Sequence, residues 1–162
     1  MGLDMHLVKC PKELIAHKDE PFFMDEVCNM LQAYMGRCEL GSMRIMCLWM
    51  QNQNQVFEWF VQNLGVNDDV PYWEVTKEQL TSLLETCEEV LNSGLKSDGT
   101  PDAERCQAIM GIPKVSQYSY WIGGFTYGER FLEGIQEVVE ELRELFANTD
   151  FETESIFFWW AW

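Results

Sequence analysis

The side chains that do covalent or acid–base work are scarce in this chain. Histidine occurs only at His6 and His17. Asp4 and His6 stand two apart, which on a strand puts both on one face, where they can serve as an acid–base pair. A surface or edge pair with no chemical role is the favoured reading of that spacing. His6, Cys10 and His17 all carry metal-binding atoms, but Pro11 interrupts them and their spacing matches no zinc pattern. Cys10, Cys28, Cys38, Cys47, Cys87 and Cys106 are scattered, with no close pair of the kind a zinc knuckle uses. No nucleophile elbow and no glycine-rich phosphate loop with its Lys and Ser/Thr occurs. Gly123-Gly124 offers at most a mild anion site at a helix start, and a plain strand-to-helix turn accounts for it. The expectation is no catalytic residue, no metal site and no cofactor.

Charge is the stronger signal. Asp plus Glu number 27 against 11 Lys plus Arg, a net of −16. Binding to DNA or RNA through phosphates needs a basic stripe, so direct nucleic-acid binding is disfavoured. Glu133, Glu137, Glu140, Glu141 and Glu144 recur at three and four, which lines them along one side of a helix. From Glu129 to Glu154 there are nine acids against Arg130 and Arg143, so this region carries much of the excess. Phosphates along a DNA strand have comparable spacing, and such a line of charge suits a basic protein partner. A solvated face opposite a core stripe is the alternative.

A second candidate surrounds the uncharged run Gln51-Asn52-Gln53-Asn54-Gln55. Asn52 and Asn54 have amides that pair with base edges or a small polar ligand, and Trp49 and Trp59 flank them with stacking surface. With Gln117, Tyr120 and Trp121 from an aromatic segment, they outline a ligand or nucleotide pocket. The competing reading has the amides cap a polar layer beneath a loop.

The elements that position these residues follow from periodicity. Residues 3–9 alternate, with Leu3, Met5 and Leu7 on one side, as a half-buried strand does. Val27, Met30, Leu31, Tyr34 and Met35 indicate a helix over 24–35 that Gly36 ends. A long apolar stripe spans 43–64 and predicts the longest helix, with the amide run as a point of local breakage. Thr76-Lys77-Glu78-Gln79 fits a capping box, followed by Leu80, Leu83, Leu84, Cys87, Val90 and Leu91 at helical spacing. Residues 93–117 hold Gly94, Gly99, Pro101, Gly111 and Pro113 and read as a flexible loop with one short helix from about Asp102. Residues 118–123 read as an aromatic strand and Tyr127–Phe146 as a helix. Its inward set is Phe131, Ile135, Val138, Val139, Leu142 and Leu145. Residues 155–162 form a strand apolar on both faces, which places it centrally in a sheet or, alternatively, in a homodimer interface.

These elements do not alternate as in a doubly wound sheet. They predict one α+β domain over 1–162, a small, mainly antiparallel sheet (strands near 2–9, 118–123 and 155–162) packed on about four helices. An apolar fraction of 47% and aromatic fraction of 14% give such a domain ample core. No apolar run approaches the roughly 20 residues of a membrane helix, and the start has no basic region of a targeting peptide. Scattered cysteines then read as reduced, buried residues of a cytoplasmic protein.

Several segments resemble a family of uncharacterised bacteriophage and prophage proteins. They are the opening Met-Gly-Leu-Asp-Met-His-Leu, Glu58-Trp59-Phe60-Val61-Gln62-Asn63, Tyr72 to Leu80, Thr149-Asp150-Phe151, and Gln117 to Leu132 with Gly123, Tyr127 and Glu129. Aligned on Trp59-Phe60, this chain keeps the family's Asn at Asn54 but has Asn52 and Phe57 where relatives carry Lys and His. The resemblance implies a viral accessory protein acting in the cytoplasm of a bacterial host, and implies no activity. Together with the charge it leads to one expectation: a non-enzymatic inhibitor of a basic host factor, such as one of antiviral defence. The small-ligand or nucleotide-sequestering pocket is the alternative.

Overall fold

In the computed structural model, residues 4–12, 50–51, 53–66, 73–118 and 124–161 are described. The alternating N-terminal segment forms strand β1 (Asp4–Pro11), and the aromatic C-terminal segment forms β4 (Glu154–Ala161). Between them come β2 (Met50–Gln51), helix α1 (Asn54–Leu64), β3 (Trp73–Val75), α2 (Lys77–Ser93), α3 (Ala103–Met110) and α4 (Glu129–Ala147). The strands make one antiparallel sheet in the order β2-β1-β4-β3. The architecture is α+β, a small antiparallel sheet with helices, as the periodicity implies.

β4 pairs with β1 along its whole length, from Asp4↔Ala161 to Pro11↔Glu154, and with β3 on its other side. It is therefore a central strand. Register puts Leu7 and Trp73 beside Phe158, and Lys9 and Val75 beside Ile156, so these positions share one face. Met5, Leu7, Ile156 and Phe158 on that face are fully buried. On the other face Ser155 is buried too, and its hydroxyl donates to a Glu74 carboxylate oxygen at 2.9 Å.

The long helix expected over 43–64 is corrected. Met50–Gln51 is a strand and the helix begins at Asn54. The amide run is the changeover from one to the other. Gln53 at the N-cap has φ −89° and ψ 66° and caps nothing with its side chain. Asn is a mediocre helix former, so the strand-to-helix change falls within this run. Residues 24–35, 43–49 and 119–123, expected as helix, helix and strand, lie outside the described residues. Tyr118, placed at the start of that strand, sits in a turn.

Helix α2 starts as its capping box dictates. Gln79 N–H donates to Thr76 Oγ1 at 3.2 Å, and Thr76 N–H donates to Gln79 Oε1 at 2.8 Å. Its Leu80, Leu83, Cys87 and Val90 are buried. The stretch 93–117 is organised around α3, where the Asp102 carboxylate accepts from Arg105 N–H at 3.1 Å. Gly94 between α2 and α3 is required by close approach, since a Cβ there would stand 2.6 Å from the Val90 carbonyl and 2.8 Å from Cys106 Sγ. Cys87 and Cys106 are buried free thiols, and desolvation pushes Cys87 up to about 12, where it is inert.

Helix α1 is the hub of the core. Gln55 to Val61 are all buried, so about two turns of the helix are enclosed on every side, and it is exposed at Gln62 and Asn63 in its last turn. Phe60 stacks on Phe158 at 4.1 Å between ring centroids, and Phe57 meets Trp160 edge-on at 5.2 Å and Tyr118 at 5.3 Å. Rings in these arrangements add to the area they bury. Phe158→Ala should lower the unfolding free energy by about 3–5 kcal/mol, a large part of the ~5–15 kcal/mol typical of a domain. Urea denaturation of the purified variant measures this, and a loss below about 1 kcal/mol would show that the ring stack is not the core's centre.

Candidate functional site: the acidic face of the fourth helix

Every residue expected to face inward on α4 does so. Phe131, Ile135, Val138, Val139, Leu142 and Leu145 are buried, and Gly134 joins them. Gly134 lies under the Gln53 side chain, and a methyl group there would overlap the Gln53 amide. Packing this stripe forces the opposite side of the helix outward. Glu133, Glu137, Glu140 and Glu144 are exposed, and Glu141 lies half-buried at the border of the stripe.

The carboxylates on this face crowd one another. Burial pushes the Glu141 carboxyl above its ordinary range, and the negative charges of Glu137 and Glu144 push it further. Gln136 donates to Glu140 Oε1 at 2.7 Å. The last turn carries no basic residue, so acids there also face the negative end of the helix dipole. Arg143 donates to Glu88 Oε1 of α2 at 2.7 Å and turns its charge toward the neighbouring helix.

Two acids of the same region do other work. The Asp150 carboxylate accepts from Glu152 N–H and Thr153 Oγ1, both at 3.0 Å, and these bonds hold its carboxyl below the ordinary range. Glu154 accepts from Asp150 N–H at 3.0 Å and pairs with Lys9 at 3.1 Å. Asp150 and Glu154 therefore build the turn from α4 into β4. The counted acids divide into an outward set on the helix and a set in the turn whose carboxylates are engaged in its hydrogen bonds.

Sequence reasoning passed over Glu85 and Glu89. Both are exposed on α2, the helix whose Glu88 Arg143 contacts. Their i, i+4 spacing was a legible signal. Their distance along the chain from α4 hid the connection.

The residues of the alternative pocket are distributed differently. Asn54 Nδ2 donates to the Gly124 carbonyl at 2.9 Å, and Gln55 Nε2 donates to the Thr126 carbonyl at 2.5 Å. These amides hold the segment leading into α4. Trp59 is buried against Phe60 at 5.5 Å, and Gln117 is exposed. Trp49, Asn52, Tyr120 and Trp121 lie outside the described residues. Asp4 and His6 both belong to β1, and His6 is half-buried. No group of three or more His, Cys, Asp or Glu suited to a metal ion occurs among the described residues. No described helix is long and apolar enough to cross a membrane.

No family model, curated protein sequence or solved structure matches this chain.

Glu141 yields a prediction whose sign can be worked out. A carboxyl raised in the folded state binds a proton more tightly there than when unfolded. Folding stability from this group is full below its unfolded pKa and declines as pH rises through the folded one. Glu141→Gln should remove that decline and leave the protein slightly more stable at pH 7, by under about 1 kcal/mol because solvent screens the site. Melting curves of both proteins between pH 4 and pH 7 check this. A variant less stable than wild type at pH 7 would contradict it.

Proposed function

We propose that this chain is a non-enzymatic accessory protein that binds a basic protein partner through the outward face of α4. The like-charge crowding around Glu141 carries the reading. Carboxylates held together at a cost in self-repulsion are relieved when Lys or Arg side chains enter among them, so the face favours association with a cationic surface. Glu85 and Glu89 add exposed acids on the neighbouring α2. The net charge of −16 adds long-range attraction, which accelerates encounter and weakens with salt.

The resemblance of the opening heptad and the Trp59-Phe60 segment to phage and prophage proteins supplies the biological setting of the proposal. In that setting the partner is a host protein in the bacterial cytoplasm, such as a defence factor whose basic groove normally receives nucleic acid. Occupying that groove would inhibit it, and a line of carboxylates is a suitable competitor for phosphates.

The test is capture from bacterial lysate, followed by titration of the purified partner against wild type and the triple variant Glu137→Lys, Glu141→Lys, Glu144→Lys. Wild type should bind with affinity that falls steeply between 50 mM and 500 mM salt, and the variant should lose binding by about 100-fold or more, since each close charge pair contributes on the order of 1.5 kcal/mol or more. Glu104→Lys, at an exposed position on α3 and not on α4, should bind as wild type does. Equal affinity and equal salt slope for the triple variant would sink the proposal.

A further inference from the structure

Arg143 stands among the glutamates of α4, three residues after Glu140 and next to Glu144. On a helix, opposite charges three apart are neighbours, so Arg143 is spaced to pair with Glu140 and cancel part of its own acidic face. Instead its Nε and Nη2 both donate to Glu88 Oε1 of α2, at 3.2 Å and 2.7 Å. Glu140 Oε1 accepts from the neutral Gln136 amide at 2.7 Å. Gln136 and Arg143 thus bracket Glu140 along the helix, and only the uncharged one is bonded to it. The choice has a physical reason. Glu88 is half-buried and Glu140 exposed, so solvent screens the cross-helix pair less, and two charge-assisted bonds hold the guanidinium there.

We propose that Glu88 is a positioning residue for the acidic face: it holds Arg143 against α2 and so keeps that guanidinium off Glu140. The inference rests on the reading of the α4 face as the surface that receives a basic partner. Without Glu88, Arg143 turns back to Glu140, and a partner's Lys or Arg must then displace a cation already in place. Glu88 acts through Arg143, and its own carboxylate has no need to touch the partner.

The experiment is a double-mutant cycle with a labelled octa-arginine peptide as the cationic probe, its affinity measured by fluorescence anisotropy at low salt. The proteins are wild type, Glu88→Gln, Arg143→Gln, the double variant, and the triple variant Glu137→Lys, Glu141→Lys, Glu144→Lys. In the chain that keeps Arg143, Glu88→Gln should weaken binding by about twofold, the size of one helix ion pair that the probe must break. In the Arg143→Gln background the same change should leave affinity unaltered, whereas independent charges would contribute equally in both backgrounds. An equal loss in both makes Glu88 one more negative charge and overturns the proposal. A lower melting temperature for Glu88→Gln with unchanged affinity assigns the pair to joining the helices, and overturns it too. The triple variant separates this inference from the reading beneath it. If it binds the probe as tightly as wild type, the α4 face is not the site and both fall. If it loses binding while the cycle gives either contrary result, the face stands and only the role of Glu88 is lost.

Discussion

Phe60 lies flat on Phe158, and Phe57 meets Trp160 and Tyr118 edge-on, so one helix and one strand share a continuous aromatic contact. The rest of the molecule is arranged around it. β4 is central because β1 pairs with its whole length on one side and β3 with Ile156 to Phe158 on the other. Residues 55–61 of α1 are buried throughout, with Phe57 and Phe60 turned onto the aromatic residues of β4. The α1 amides at Asn54 and Gln55 tie down the segment that leads into α4. The placement of α4 thus depends on the same helix that forms the aromatic core.

That dependence links core to surface. α4 buries one stripe and shares a contact with α2, marked by Arg143 reaching Glu88. With those sides occupied, the remaining arc has to face outward, and it is the arc where the glutamates fall. Acids in the following turn are drawn into Asp150 and Glu154 bonds that fix the entry into β4. The acidity of this region is therefore of two kinds, one that shapes a turn and one that crowds on a helix.

Elements with strong local signals were legible from the sequence. The Thr76 capping box, the Asp102 cap and the stripe of α4 each specify structure within a few residues, and each is present where its residues place it. β2 and β3 were missed because strands of two and three residues show no alternation; pairing with longer neighbours defines them. The helix expected from 43 overshot because an apolar stripe does not distinguish a strand leading into a helix from a longer helix. The burial of Glu58 was hidden for a related reason. Between Phe57 and Trp59, periodicity assigns a glutamate to the solvent side, but α1 has no solvent side at that turn. The acidic face was visible on α4, whereas placing Glu85 and Glu89 on the helix beside it required knowing which helices are neighbours.

If the enclosed α1 and its aromatic contact with β4 organise the fold, they must be the last part to open. Native-state hydrogen exchange at increasing denaturant measures this residue by residue. The amides of Phe57 to Val61 and of Ile156 to Phe158 should exchange only through global unfolding, with the denaturant dependence of the whole molecule. Exchange of the α1 amides through smaller openings, while α2 and α4 remain protected, would contradict the account.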